Sequence, residues 1–137
     1  MAKLRKLKHQ DKKKVEDLLS QLTGKETRIN IKTLIKDAGC NCIVLEEKRQ
    51  VIGFGSLIIH QVPCEGCVAR IEDVIVDSTR RGEGHGRKIT EKLIAIAKNK
   101  KARRINLTSN PKREAARKLY LSMGFKIYET GVFKMEL

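Results

Sequence analysis

Aromatic residues are scarce in this chain, at 4% of 137 positions, and tryptophan is absent. Proteins that hold single-stranded nucleic acid without sequence preference stack bases on aromatic side chains. That composition argues against a dedicated nucleic-acid role. No apolar run approaches the roughly 20 residues of a membrane helix, so no membrane partner is expected. The first residues are basic, but no apolar secretory segment follows them, and the expected location is cytoplasmic. Low-complexity segments, internal repeats and linkers are also missing. A hydrophobic content of 40% is a globular value, and the length suits one domain spanning 1–137. Acidic residues are outnumbered, 16 against 30 basic ones, giving a net charge of +14. Such a field attracts polyanions. The clusters Lys12–Lys14 and Lys98–Lys101 read mainly as solvated helix faces and ends.

The four cysteines form two pairs, Cys40-x-Cys42 and Cys64-x-x-Cys67. Such pairs invite a zinc reading. Strand register speaks against a joint site. If Glu47 pairs with Gln50, Cys40 falls opposite Leu57 and the second pair lies several residues further along. Reduced, partly buried thiols and no metal are the expectation.

What the chain does have is an apolar strand, Val74-Ile75-Val76, running into Asp77-Ser78-Thr79-Arg80-Arg81-Gly82-Glu83-Gly84-His85-Gly86-Arg87-Lys88. Glycines let the backbone take positive φ and approach a ligand closely. A helix start presents unpaired N–H groups and a positive dipole end. The combination suits a phosphate or pyrophosphate. A dinucleotide-binding turn is excluded, because its third glycine would fall on Arg87 or Ile89. A P-loop is excluded because no glycine followed by Lys and Ser or Thr has the required spacing.

The remaining elements alternate. A short edge strand holds Leu4 and Leu7. Asp11 is placed to cap a helix carrying Val15, Leu18, Leu19 and Leu22, which Gly24 ends. A second short helix around Ile31, Leu34 and Ile35 closes at Gly39. Strands are expected at Cys42–Leu45, Val51–Ile59 and Val68–Val76. A helix follows the glycine turn, with Ile89, Leu93, Ile96 and Ala97 on one face. A strand spans Ile105–Thr108, and Asn110-Pro111 reads as a cap and first residue of a helix ending at Gly124. A terminal hairpin is expected from Phe125–Tyr128 and Val132–Met135. The fold class is α/β, with a mixed, mostly antiparallel sheet flanked by helices.

The pattern Arg81-x-x-Gly84-x-Gly86 after a strand resembles the acetyl-CoA signature of the GNAT N-acetyltransferase superfamily. Ala116, Tyr120 and Gly124-Phe125 resemble its late helix–strand motif, and the element order is similar over essentially the whole chain. The segment Ile71-Glu72-Asp73-Val74 has a weak local similarity to glucosamine-phosphate acetyltransferases. The resemblance implies acetyl-CoA as cosubstrate and a small-molecule or peptide amine as acceptor, in a monomer or homodimer. It implies that backbone groups of Val74, Ile75 and Val76 hold the pantetheine arm. Arg81, Gly82, Glu83, Gly84, His85, Gly86 and Arg87 would then hold the pyrophosphate. Glu72 is the candidate base through water, with substrate contact or a purely structural role as its alternatives. Simple alternation puts it on the face of Val74 and Val76, with Asp73 opposite; a bulge would reverse this. Tyr120 is the candidate acid, against a half-buried core tyrosine. Many relatives carry Asn where this chain has Glu114. The competing class is a degenerate module of this fold that binds CoA or nucleic acid without catalysis.

Overall fold

A computed structural model describes residues 1–137. The chain forms two compact units, residues 1–107 and 108–137. The first contains strands β1 (Lys3–Lys6), β2 (Cys40–Glu47), β3 (Gln50–Val62), β4 (Gly66–Val76) and β5 (Ile105–Asn106). Their order in the sheet is their order in the chain; β1 to β4 pair antiparallel, and β5 joins β4 in parallel. A parallel neighbour requires a crossover, and α3 (His85–Asn99) lies within it. The other helices of this unit are α1 (Lys12–Thr23) and α2 (Ile31–Lys36).

The apolar spacing of α1 buries Val15, Leu18 and Leu19, and the helix stops at Gly24 with φ of 76°. Asp11 precedes α1 without capping it. Its carboxylate instead accepts two bonds from the Arg5 guanidinium, at 2.8 and 3.0 Å, and one from the Lys8 N–H at 2.8 Å. The guanidinium six residues back and the Lys8 N–H hold the carboxylate in place of the first N–H groups of α1. The second helix ends at Lys36, short of Gly39, because the Asp37 side chain turns back to accept the Gly39 N–H.

Helices α1 and α2 cover one side of the sheet. Val15, Leu18, Leu19, Ile31, Cys42, Val44, Val51, Phe54 and Ile75 form that core. On the other side α3 packs on β3 and β4. A Cβ at Gly55 would sit 2.5 Å from Ile89 Cγ2, and one at Gly53 would sit 2.8 Å from Ile89 Cδ1. Two glycines on β3 thus let the helix that starts at the glycine turn lie close to the strand.

Both long ladders contain an irregularity. Between β2 and β3 the register shifts at Leu45/Glu46, so Glu47 does pair with Gln50 but Cys40 lies opposite Ile58 rather than Leu57. Between β3 and β4, Gly55 pairs with Val74 and Leu57 with Ile71, leaving Ser56 against both Glu72 and Asp73.

In the second unit, the Asn110 side chain accepts the Lys112 N–H and its carbonyl accepts the Arg113 N–H, both at 2.9 Å. That turn delays the helix, and α4 spans Glu114–Ser122. The expected terminal hairpin does not form: no strand lies beyond Asn106. Ile127, Val132 and Phe133 are 70%, 75% and 98% exposed. An isolated two-stranded hairpin is marginal in water, and burial of its apolar side chains is what would hold it. Strand β5 is likewise shorter than expected, two residues in place of four. No helix is long and apolar enough to cross a membrane.

Candidate functional site

The site is built on the C-terminal half of β4, the glycine turn and the start of α3. On one side β4 is paired with β3 through Val76. On the other, β5 pairs only with Ala69 and Arg70, so from Ile71 onward that edge carries no strand. The Asp77 N–H bonds to Ile52 O at 2.8 Å, toward β3. Hydrogen-bonding direction alternates along an antiparallel strand. The main-chain groups of Ile75 therefore also face β3, and those of Val74 and Val76 face the free edge. Val76 O agrees, accepting Arg81 Nε at 3.3 Å from that side. Of the three expected backbone residues, two present their polar groups outward and Ile75 does not.

A short 3-10 turn, Ser78–Arg80, comes next, its N–H groups drawn in by Asp77 Oδ1 accepting from Thr79. Gly82 and Gly84 then take φ of 81° and 82°, conformations that other residues rarely adopt. A Cβ at either would meet nothing within 4 Å, so the space beside them is open. Gly84 precedes α3 with no side-chain cap. The first N–H groups of that helix lack intrahelical acceptors. Gly86 and Arg87 lie in its first turn.

The charged residues around this turn are mutually engaged. Arg80 binds Glu83 at 3.0 and 3.2 Å and also Glu47 at the end of β2. Glu83 Oε1 also meets His85 Nε2 at 3.2 Å. Their bonds to Arg80 hold the Glu47 and Glu83 carboxyls below the usual range, against the opposing effect of burial. Lys88 Nζ reaches the Ala2 carbonyl at 2.8 Å, and Lys14 reaches Asp77 at 3.4 Å.

Glu72 and Asp73 share the β4 bulge. Arg70 pairs with Ile58, which pairs with Cys40, a residue packed on the α1/α2 core. Two residues on from Arg70, Glu72 points to that same side. Two residues before Ile75, a member of that core, so does Asp73. The bulge thus overturns the simple alternation and brings both carboxylates to one face. Glu72 is exposed and binds Arg70 Nε at 2.6 Å, with 44% of its side chain accessible. Asp73 is half-buried, and its N–H donates to Ser56 Oγ at 3.2 Å. Burial first, and then the Glu72 charge, push the Asp73 carboxyl upward, against a bond with Ser56. Simple alternation set Asp73 on the face away from Glu72; the bulge instead places it beside Glu72 as a second acidic candidate.

Cys40 and Cys42 lie on the same face, with sulfurs 3.6 Å apart, and burial pushes the Cys42 thiol up to about 12. Cys64 is exposed in the β3–β4 turn and Cys67 Sγ reaches the Lys100 carbonyl at 3.7 Å.

Tyr120 belongs to the second unit. It is buried in α4 and meets Phe125 edge-on, with ring centroids 5.8 Å apart. Burial raises its phenol pKa, partly offset by Arg113. Glu114 is the first residue of α4.

The structure is similar to a transcriptional regulator from Bacillus halodurans C-125, with a TM-score of 0.89, 23% identity and 100% of both chains covered. It is similar to an acetyltransferase from Trypanosoma brucei, with a TM-score of 0.86, 27% identity and full coverage of both. A third likeness is to an aminoglycoside N-acetyltransferase in complex with CoA: TM-score 0.87, 16% identity, 99% of this chain and 95% of that one. The model of the acetyltransferase (GNAT) family matches residues 5–125, and the chain belongs to that family.

Proposed function

We propose that the chain is an acetyl-CoA-dependent N-acetyltransferase that acts on a primary amine by direct attack. Membership of the family supports acetyl transfer in general. The observation that carries the finer reading is the continuity of the free β4 edge at Val74 and Val76 with the open glycine turn and the start of α3. An amide-bearing arm suits the first, as an added strand would, and a pyrophosphate suits the second. The family match crosses from the first unit into the second, which supports treating residues 1–137 as one domain.

When bound, acetyl-CoA supplies an acetyl thioester. Val74 and Val76 would hold the pantetheine amides, and one backbone N–H there would polarise the acetyl carbonyl. Gly82, Glu83, Gly84, His85, Gly86 and Arg87 would offer main-chain N–H groups to the pyrophosphate, with Arg81 anchoring the turn to Val76. The acceptor ammonium loses its proton to Glu72 through water, and the free amine forms the new C–N bond as the C–S bond breaks. Asp73 is a second reading for that base, favoured by the upward shift that burial gives it. Tyr120 would donate to the departing thiolate; its raised pKa keeps the proton on oxygen and suits a hydrogen-bond donor more than a strong acid. A Tyr120→Phe protein with undiminished turnover would end that role.

The test is thermal melting with acetyl-CoA, joined to thiol release against a panel of amines. A ligand bound only by the native state raises the melting temperature. Gly84→Asp, which puts a charge and a side chain at a position with φ of 82°, should abolish the shift. An equal shift in that variant would remove the turn from the site. A shift without thiol release from any amine would favour the degenerate CoA-binding module.

A further inference from the structure

The glycine turn has no packing of its own. Residues 81–84 are exposed, and neither Gly82 nor Gly84 has a neighbouring atom where a Cβ would stand. Besides the Arg81 bond to Val76 O, its shape is held by a chain of side-chain contacts. Glu47, the last residue of β2, binds the Arg80 guanidinium, which grips both oxygens of Glu83, which in turn meets His85 at the head of α3. The far end of this chain is anchored in the sheet, since Glu47 pairs with Gln50 across the β2–β3 turn.

Two carboxylates beside an anion cradle are electrostatically the wrong sign. Each repels a pyrophosphate, in a protein whose overall field attracts one. Each also occupies the Arg80 cation, which would otherwise be free for phosphate. Glu83 sits inside the turn, but Glu47 comes from a different hairpin, 33 residues before Arg80. Its presence at the cradle is accounted for by geometry and not by charge.

We infer that Glu47 is a positioning residue for the polyanion: acting through Arg80, it fixes the glycine turn and the first turn of α3 in the shape that receives the pyrophosphate. The inference rests on the reading of this turn as the CoA site. It makes a prediction opposite in sign to simple Coulomb reasoning. Removing the Glu47 charge should weaken binding of a polyanion, although the cradle becomes more positive.

The experiment is titration calorimetry of CoA with the wild-type chain, Glu47→Gln, Arg80→Ala and the double variant, with amide hydrogen exchange on the free proteins. Glu47→Gln should bind CoA about fivefold more weakly and exchange faster at residues 81–87, with the global melting temperature unchanged. In the Arg80→Ala background the Glu47 substitution should no longer weaken binding, since contacts that act through one another are non-additive and only the repulsion by Glu47 is left to remove. Equal or tighter binding by Glu47→Gln would overturn the inference. So would an undiminished Glu47 effect without Arg80. Absence of CoA binding by the wild-type chain would instead overturn the reading of the site, and this inference with it.

Discussion

Two aspartates of the first unit, Asp11 and Asp73, are both drawn out of water and end in opposite states. Asp11 has 4% of its side chain exposed and is saturated: two bonds from Arg5, one from the Lys8 N–H, and Glu46 on the far side of the same guanidinium at 3.1 Å. Burial opposes its charge, but Arg5 and the Lys8 N–H outweigh burial and its pKa falls. Asp73 has a hydroxyl, Ser56, where Asp11 has a guanidinium, and a second carboxylate as its neighbour, so its pKa rises. Satisfied charge ties β1 and β2 to the start of α1. Charge left under-compensated stands at the β4 bulge, where the proposed reaction would need a proton or a cationic group to be handled. Perturbed carboxyls tend to gather at functional sites for this reason.

The largest expected effect lies on the under-compensated side. Glu72→Gln should lower turnover by about 10² or more while CoA affinity stays nearly constant. Steady-state kinetics on the amine found by the thiol-release screen checks it. If apparent amine affinity weakens and saturating turnover survives, Glu72 holds substrate and the base lies elsewhere on the bulge, with Asp73→Asn as the next variant to assay.

On the satisfied side the effect is on stability. Asp11→Asn leaves Arg5 half-buried, with an amide that has one acceptor oxygen in place of two. Breaking such a cluster should cost about 2 kcal/mol or more at neutral pH. The sign with pH follows from the depressed pKa. The native state holds the Asp11 charge more easily than the unfolded chain, so the stabilisation is full above about pH 4 and fades as pH falls through the native value. The gap between wild type and Asp11→Asn in denaturant melts should close on acidification. A gap that persists at low pH would mean that packing, and not charge, makes Asp11 matter.

Much of this contrast was out of reach of the sequence, and the reasons are physical. Local signals were legible. Gly24 ends α1, the glycine turn starts α3, and the apolar spacing of both helices marks their buried faces. Two kinds of feature were hidden. One is the bulge, because a period of two holds only while pairing is regular; one extra residue, Ile52, opposite the Leu45/Glu46 step moved the partner of Cys40, and another at Glu72–Asp73 turned both acids to one face. The other is any partner that lies outside the residue's own element. Asp11 has the residue type and place of a helix cap until Arg5 claims it, and nothing near Glu47 announces Arg80. In the second unit, the alternation in 125–135 promised strands, yet a strand exists only when a neighbour pairs with it.

The smallest effect sharpens the comparison most, because it carries the opposite sign. Asp73→Asn keeps the shape of the side chain and removes a charge that burial and Glu72 both disfavour. A carboxyl whose native pKa is raised binds its proton more tightly folded than unfolded. Ionisation therefore destabilises the native state at neutral pH, and this penalty vanishes as pH falls to the unfolded value near 4. Asp73→Asn should raise the melting temperature at pH 7 slightly and lose that advantage below about pH 4. It mirrors Asp11→Asn, which loses stability at pH 7 and recovers toward wild type in acid. Parallel melts of the two variants from about pH 3 to 8 make the comparison direct. If Asp73→Asn were destabilising at pH 7, the carboxylate would be holding structure through Ser56 as Asp11 does through Arg5. The bulge would then be a structural joint, and Glu72 alone would remain to handle the proton.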